Sequence, residues 1–263
     1  MQRIGQLEDG GVQFVQNCTV GEDLSFDAIR GKHDAVVIAT GVYKARDLAA
    51  PGRGAAGIVP ALDFLTASNR KGFGDDVPAF DDGTLDASGK RVVVIGGGDT
   101  AMDCVRTAVR QGALSVKCLY RRDRANMPGS QRETANAEEE GVEFVWLSAP
   151  KGFVGNLAVT DAGDPSAIGG GVQGVIVQRM RLGAPDATGR QAPEIIEGAD
   201  YVEPADLVIM ALGFEPEELP TLWGQPELRV TRWGTIRADF GTHATSLPGV
   251  YAVGDIVRGA SLV

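Results

Sequence analysis

The stretch RVVVIGGGDTAMD, residues 91–103, constrains the fold of this chain more than any other feature of its sequence. Residues 92–95 are apolar and mostly β-branched, which is typical of a parallel strand that is buried on both faces. Three glycines follow at once, and Gly96, Gly98 and Ala101 satisfy the spacing G-x-G-x-x-G/A. We therefore predict a buried strand, a tight glycine turn and a helix in immediate succession.

Each small residue of this turn has its own steric role. Gly96 lets the chain turn tightly off the strand, and Gly98 lets the backbone approach a pyrophosphate with no Cβ in the way. Ala101 lets the helix lie close to the sheet. We predict Thr100 as the N-cap of the helix, with Asp103 completing an approximate capping box. The N–H groups at this helix end would face phosphates, and the predicted binding residues are Gly96, Gly97, Gly98, Asp99, Thr100 and Ala101.

A second predicted strand, residues 115–120, follows the helix and is followed by a pair of arginines, Arg121 and Arg122. A site that prefers NAD carries an acidic residue in this region, which binds the ribose 2′-hydroxyl. Guanidinium groups can instead bind a 2′-phosphate, which a carboxylate would repel. Glycine turns and paired arginines each occur without a ligand, but their order here predicts a site for NADPH rather than NADH.

The composition indicates a globular protein without a nucleic-acid or membrane partner. Of the 263 residues, 43% are hydrophobic and 23% are charged, and the formal net charge is −10. An acidic chain is a poor match for a nucleic-acid backbone, so a dinucleotide site must be locally basic, as Arg121, Arg122 and Arg124 would make it. No segment approaches the ~20 apolar residues of a membrane helix, and no secretion signal is evident. We therefore expect a cytoplasmic location.

The three cysteines, Cys18, Cys104 and Cys118, do not form a C-x-x-C pair. This pattern excludes a dithiol redox motif and an iron–sulfur cluster held wholly by this chain. Cys104 and Cys118 fall on the predicted helix and second strand, where we expect them to be small buried hydrophobic residues. We predict no metal site in this chain.

The rest of the sequence predicts an α/β fold with an antiparallel excursion. Between residues 152 and 203 apolar and polar positions alternate, which indicates antiparallel strands inserted into a parallel sheet. A strand that ends in Gly254 and Asp255 would place a carboxylate at a ligand-binding sheet edge, although Gly-Asp is more often an ordinary turn. The other predicted elements are strands at 12–17, 34–40, 142–147, 174–182, 206–210, 229–239 and 250–255, helices at 61–68 and 131–140, and loops at 51–57, 75–89 and 183–193.

Three motifs occur in a fixed order along the chain: IATG at residues 38–41, GGGDTAMD with YRRD, and YAVGD at residues 251–255. This order resembles the flavoprotein oxidoreductases with two dinucleotide-binding domains, in which a nicotinamide domain is inserted into an FAD domain. The stretches DAVVIATGVYKARDL, LYRRDRANMPGSQRE, VQRMRLG and ADLVIMALGFEP are similar to the small (beta) subunits of NADPH-dependent glutamate synthases. The likeness covers nearly the whole chain.

The resemblance implies a Rossmann-like NADPH domain at residues 57–213, inserted in an incomplete FAD-binding α/β domain at residues 1–56 and 214–263. In such proteins hydride passes from the nicotinamide to the flavin, and electrons leave through iron–sulfur clusters to a partner subunit. The implied partner is the glutamate synthase large subunit or another electron-accepting subunit. Because the cofactors carry the chemistry and the protein aligns them, no side chain is predicted to be catalytic.

The resemblance also assigns roles to individual residues. It places the NADPH pyrophosphate at the glycine turn and the 2′-phosphate at the two arginines. Thr40 and Gly41 would lie near the flavin, where the two domains meet, and Gly213 would lie near the nicotinamide. Gly254 and Asp255 match the motif that holds the ribityl-pyrophosphate part of FAD.

The chain also departs from this family pattern. The first G-x-G-x-x-G, which holds the ADP part of FAD, and a cysteine-rich cluster domain would both lie upstream of Met1. The helix that closes the FAD site would follow Val263. We therefore expect a chain truncated at both ends, with iron–sulfur clusters only on missing regions or on the partner. Such a chain would bind NADPH but hold FAD weakly or not at all.

The leading interpretation is the electron-input fragment of an NADPH-dependent flavoprotein oxidoreductase, most like the small subunit that serves glutamate synthesis from glutamine and 2-oxoglutarate. One alternative is the NADPH-binding part of a dihydropyrimidine dehydrogenase-like enzyme or of an NADPH:ferredoxin oxidoreductase. Another is a non-catalytic NADPH-binding interaction module. The last predicts nucleotide binding without hydride transfer, even when FAD is supplied.

Overall fold

The computed structural model describes residues 2–155, 171–187, 189 and 191–260. The described helices and strands are listed here in chain order. The α-helices are α1 (Gln2–Asp9), α2 (Phe26–Lys32), α3 (Ala61–Gly72), α4 (Pro78–Asp81), α5 (Asp99–Arg110), α6 (Gln131–Glu139), α7 (Leu219–Leu222) and α8 (Asp255–Arg258). The strands are β1 (Val36–Ile38), β2 (Lys44–Ala45), β3 (Ile58–Pro60), β4 (Arg91–Ile95), β5 (Ser115–Tyr120), β6 (Glu143–Trp146), β7 (Ser148–Gly155), β8 (Val172–Pro185), β9 (Gln191–Ile195), β10 (Tyr201–Pro204), β11 (Leu207–Met210), β12 (Phe214–Glu215) and β13 (Val250–Ala252).

The chain forms two compact units, one made of Met1–Lys44 and Phe214–Val263 and the other of Ala45–Gly213. The boundary at residues 44–45 lies earlier than the one predicted from the sequence, at residues 56–57. The connection before that point belongs to the second unit because it is bonded to strands there. The carbonyl of Pro51 accepts a hydrogen bond from the N–H of Phe153 at 2.8 Å.

The second unit is built on a five-stranded parallel sheet in the order β3-β11-β4-β5-β6. The side chains of β4 alternate between two hydrophobic cores. Val92 and Val94 pack with residues of α3 and α5, whereas Val93 and Ile95 pack with residues of the antiparallel sheet. Burial on both faces explains why the strand is a continuous apolar run, and it confirms the predicted buried strand.

The antiparallel excursion consists of β7, β8 and β10, with β9 paired to the far part of β8. The predicted strand at 174–182 lies within β8, which is longer at both ends. The predicted loop at 183–193 is partly wrong, because Pro185 pairs with Gln191 and Leu182 pairs with Pro193 in a hairpin. The segment is rich in glycine, proline and polar residues, and these hid the strands from pattern analysis.

In the first unit, β1 pairs in parallel with β13 over a small hydrophobic core. Two predicted strands of this unit are wrong. Residues 12–17 lie outside any described strand, and all of them are exposed, with Val15 at 77%, so little buried surface is available to stabilise a strand there. Residues 229–239 form only an isolated bridge between Val230 and Ile236, because the chain turns back at Gly234 with φ of 84°.

None of the helices in the described ranges has the length and apolar character needed to cross a membrane. Helix α1 and helix α2 were not predicted, and α4 lies inside the predicted loop at 75–89. The predicted helix at 61–68 is confirmed as the first two turns of α3, and that at 131–140 as α6. These differences leave the parallel sheet and its carboxyl edge as expected.

Candidate dinucleotide-binding site

The glycine turn between β4 and α5 is shaped first by contacts within the protein. Gly96 has a φ of 151°, and a Cβ there would overlap the carbonyl oxygen of Ala211. A Cβ on Gly97 would overlap the ring of Tyr120. These positions therefore accept only glycine, and the strands on both sides of β4 set the path of the turn.

Gly98 differs from the other two glycines because a Cβ there would meet no atom within 4 Å. It is the N-cap of α5, with φ of −91° and ψ of 178°, and no side chain caps the helix. Its carbonyl accepts hydrogen bonds from the N–H groups of Ala101 at 2.9 Å and Met102 at 3.2 Å. The first N–H groups of a helix have no partner inside it. The open space at Gly98 therefore lies next to N–H donors that have no partner within α5.

The predicted N-cap is wrong. The helix begins at Asp99, so Thr100 is its second residue and does not cap it. The cause is the carbonyl of Gly98, which starts the helical hydrogen bonds earlier in the chain than expected. Ala101, in the first turn of α5, is fully buried, which fits its predicted role of letting α5 lie close to the sheet.

The order of the parallel strands brings the predicted residues of the second unit to one edge. Gly96, Arg121 and Gly213 follow the carboxyl ends of β4, β5 and β11, which are neighbours in the sheet. Helix α5 connects β4 to its neighbour β5 on one side, while β11 pairs with β4 on its other side. Open α/β sheets bind ligands at such a change of direction, outside the carboxyl ends of the strands.

The three arginines after β5 have different surroundings. Arg121 is exposed, whereas Arg122 is half-buried and its Nε atom is buried with no hydrogen-bond partner in the described part of the chain. A buried donor without a partner is costly, and an oxygen of a ligand would relieve that cost. Arg124 is paired with Glu138 at 2.8 Å, so its expected contribution to a basic site is offset.

The predicted residues of the first unit also meet at one sheet edge. Thr40 and Gly41 follow β1, while Gly254 and Asp255 follow β13, and these two strands are parallel neighbours. Gly254 has a φ of 76°, and a Cβ there would meet no atom within 4 Å. Asp255 is the first residue of α8. The turns after β1 and β13 thus leave room beside Gly254 for a ligand.

The glycine turn also makes contacts that were not predicted from the sequence. The N–H of Gly129 donates to the carbonyl of Gly97 at 2.9 Å, and the N–H of Ser130 donates to Oδ1 of Asp99 at 3.0 Å. The Pro-Gly pair at residues 128–129 signals a turn, but nothing in the sequence shows where that turn lies.

The two cysteines of this unit lie in its hydrophobic core, and Cys118 contacts the glycine turn. Cys118 and Cys104 are fully buried, as predicted, and burial raises the pKa of the Cys118 thiol to about 12. Burial raises the pKa of Cys104 as well. Cys118 Sγ lies 3.3 Å from the carbonyl oxygen of Gly96, so it supports the turn from the protein side.

A family model described as pyridine nucleotide-disulphide oxidoreductase matches residues 7–263. The chain belongs to this family. The resemblance to flavoprotein oxidoreductases is therefore confirmed, and it rests on nearly the whole sequence.

Several similar proteins carry a glutamate synthase small-chain name, and two of them match the chain over its full length at high identity. A protein of Cereibacter sphaeroides with the provisional name glutamate synthase (NADPH) small chain is 79% identical over 262 residues, which are 100% of this chain and 60% of that protein. The glutamate synthase (NADPH) small chain of Azospirillum brasilense is 59% identical over 262 residues, 100% of this chain and 52% of that protein. The chain thus spans between half and three fifths of these relatives.

A solved structure supports the fold independently. FprA of Mycobacterium tuberculosis in complex with NADPH aligns with a TM-score of 0.75 at 22% identity, covering 100% of this chain and 66% of FprA. At this identity the likeness is one of fold. It confirms the predicted α/β class, with a parallel sheet and an antiparallel excursion.

Proposed function

We propose that this chain is the electron-input part of an NADPH-dependent flavoprotein oxidoreductase of the glutamate synthase small-chain type. The observation that carries the proposal is the glycine turn at Gly98 and the arginine pair at one edge of the same sheet. The family and the names of the two relatives support it. The proposed partner is the glutamate synthase large subunit, and the proposed location is the cytoplasm.

The glycine turn is the proposed site of the NADPH pyrophosphate. The space beside Gly98 would receive the phosphates, and the free N–H groups at the start of α5 would donate to them. Gly96, Gly97 and Ala101 act indirectly, because they let the strand, the turn and the helix lie close together. Thr100, in the first turn of α5, is proposed to contact the phosphates.

Arg121 and Arg122 are the proposed site of the NADPH 2′-phosphate. Arg121 is exposed at the end of β5, and the buried Nε of Arg122 lacks a partner in the described ranges. Guanidinium donors bind phosphate oxygens strongly. Gly213, at the end of β11, is proposed to lie beside the nicotinamide.

The residues at the β1 and β13 edge are the proposed contacts of FAD. Gly254 and Asp255 would bind its ribityl-pyrophosphate part, and Thr40 and Gly41 would lie near its ring. When both cofactors are bound, NADPH supplies a hydride that FAD accepts, and iron–sulfur clusters elsewhere carry the electrons on. This chain would bind and orient the cofactors, and no side chain needs to move a proton.

The arginine assignment is tested by measuring the dissociation constants of NADPH and NADH for matched variants. We expect Arg121→Ala with Arg122→Ala to weaken NADPH binding by about tenfold to a hundredfold, because charge-assisted hydrogen bonds are lost. Binding of NADH should change little. Arg124→Ala is the control, because Arg124 is already paired with Glu138. An unchanged preference for NADPH in the double variant would refute the assignment.

Hydride transfer is tested separately, in the presence of added FAD and an artificial electron acceptor. The proposal predicts NADPH-dependent reduction of the acceptor that the double arginine variant loses at low NADPH concentration. A chain that binds both NADPH and the added FAD but reduces nothing would instead be a non-catalytic binding module.

A further inference from the structure

A short stretch of chain connects the two halves of the proposed NADPH site. We call residues 123–130 the bridging segment, because it starts directly after Arg122 and ends against the glycine turn. Its first part is a 3-10 turn, Arg124–Asn126, that is capped by Asp123. Its last part carries the contacts of Gly129 and Ser130 with the turn.

The bridging segment is fixed at its middle as well as at its end. The hydroxyl of Tyr120 donates a hydrogen bond to the carbonyl of Asn126 at 2.8 Å. The ring of the same tyrosine fills the space next to Gly97. Gly129 is buried, and a Cβ there would lie 3.0 Å from the carbonyl oxygen of Gly97. The segment therefore packs closely on the glycine turn.

Asp99 connects the bridging segment to the glycine turn, although its position is unfavourable for a carboxylate. It is the first residue of α5, beside the proposed pyrophosphate site, where a free carboxylate would repel phosphates. In the structure its Oδ1 atom accepts the hydrogen bond from the N–H of Ser130 at 3.0 Å. The carboxylate thus binds the bridging segment at Ser130, which is the N-cap of α6.

We infer that Asp99 is a positioning residue for nucleotide selectivity, which acts by holding the bridging segment, and with it the arginine pair, at a fixed distance from the glycine turn. This inference rests on the proposed function, because it assumes that the turn and the arginines bind one NADPH molecule. Both nucleotides contain the pyrophosphate, but only NADPH also needs the arginines in place. Loss of the Asp99 contact should therefore lower the ratio of NADPH to NADH affinity.

The test compares Asp99→Ala with Asp99→Asn by titrating each folded protein with NADPH and with NADH. Both substitutions remove the charge, but asparagine keeps an acceptor oxygen for the N–H of Ser130. We expect Asp99→Ala to lower the affinity ratio by about tenfold, the effect of one lost hydrogen bond to a charged group. Asp99→Asn should keep a ratio near that of the original protein. A loss of protein stability alone would weaken the binding of both nucleotides equally and leave the affinity ratio unchanged.

A second pair of variants removes the same contact from its other side. Ser130 has a φ of −57°, which is within the range of proline, so Ser130→Pro deletes the N–H donor at a compatible φ. Ser130→Ala keeps the donor and is its control. Ser130→Pro should lower the ratio of NADPH to NADH affinity as Asp99→Ala does. If Asp99→Ala does not fold, Ser130→Pro tests the role of this contact by itself.

The outcomes separate the inference from the proposed function. If the original protein prefers NADPH and the folded Asp99→Ala or Ser130→Pro variant keeps that preference, the role of Asp99 is refuted while the NADPH site stands. If the original protein shows no preference for NADPH, both are refuted.

Discussion

The glycines of the turn look alike in sequence but have different physical tasks. At Gly96 the available space is filled by the carbonyl of Ala211, whereas at Gly98 it is open. A side chain at the first position would therefore disturb the protein itself. At the second position it would disturb only a ligand that approaches the turn.

This difference gives a prediction for two alanine variants. Gly96→Ala should lose about 1–3 kcal/mol of folding free energy, because the added methyl group overpacks the junction of β4 and β11. Gly98→Ala should stay within about 1 kcal/mol of the original stability and yet weaken NADPH binding by about tenfold. Thermal unfolding and nucleotide titration measure the two effects. Equal NADPH affinity in Gly98→Ala would contradict the placement of the pyrophosphate.

The cysteines give a second prediction at the residue scale. Burial raises the pKa of Cys104 and Cys118, and only the thiolate form of cysteine reacts with alkylating reagents. Iodoacetamide at pH 8 should therefore label only Cys18, which is half-exposed, in the folded protein. All three cysteines should be labelled after unfolding. Mass spectrometry reads the sites, and rapid native labelling of Cys118 would show that the core opens behind the turn.

Among the elements, the junction of β4 and β11 combines packing with an ion pair. Arg91 binds Asp206 through its Nε at 2.8 Å and its Nη2 at 2.6 Å, and its backbone N–H donates to the same carboxylate. The hydrogen bond from Arg91 lowers the pKa of Asp206 to about 2. Both side chains are about 40% exposed, so solvent screens much of the attraction.

This ion pair predicts a pH dependence of stability. Because the pKa of Asp206 is lower in the folded chain than in the unfolded chain, its contribution is present above about pH 4 and is lost as the pH falls toward 2. Asp206→Asn should therefore lower the melting temperature slightly at pH 7, and the difference should shrink as the pH falls. Melting curves between pH 7 and pH 3 test this. A difference that grows on acidification would contradict the assigned pKa.

The accuracy of prediction varied between elements for a physical reason. The boundaries of β5 were predicted correctly, and those of β4 and α6 to within one residue. The buried strands are continuous apolar runs, and Gly141 marks the end of α6. The hairpin of β8 and β9 was missed in part, because its polar end is stabilised by backbone pairing between the strands and shows no hydrophobic pattern. Residues 12–17 have a strand pattern, but all of them are exposed.

For the whole molecule, sequence order predicted which motifs would share a sheet edge, but not the contacts between loops. The strand sequence placed Gly96 and Arg121 on neighbouring strands, which follows from a simple β-α-β connection. The approach of Gly129 and Ser130 to the glycine turn depends on three-dimensional packing. Arg124 was expected to add positive charge, but its pairing with Glu138 could not be seen from spacing alone.

The central claim concerns the whole chain: one edge of its parallel sheet binds NADPH for electron input. The most direct test is calorimetric titration of the 263-residue protein with NADPH and with NADH at the same ionic strength. The account predicts saturable binding of NADPH at one site, with an affinity at least about tenfold higher than that for NADH. Equal affinities, or no binding of NADPH, would contradict it.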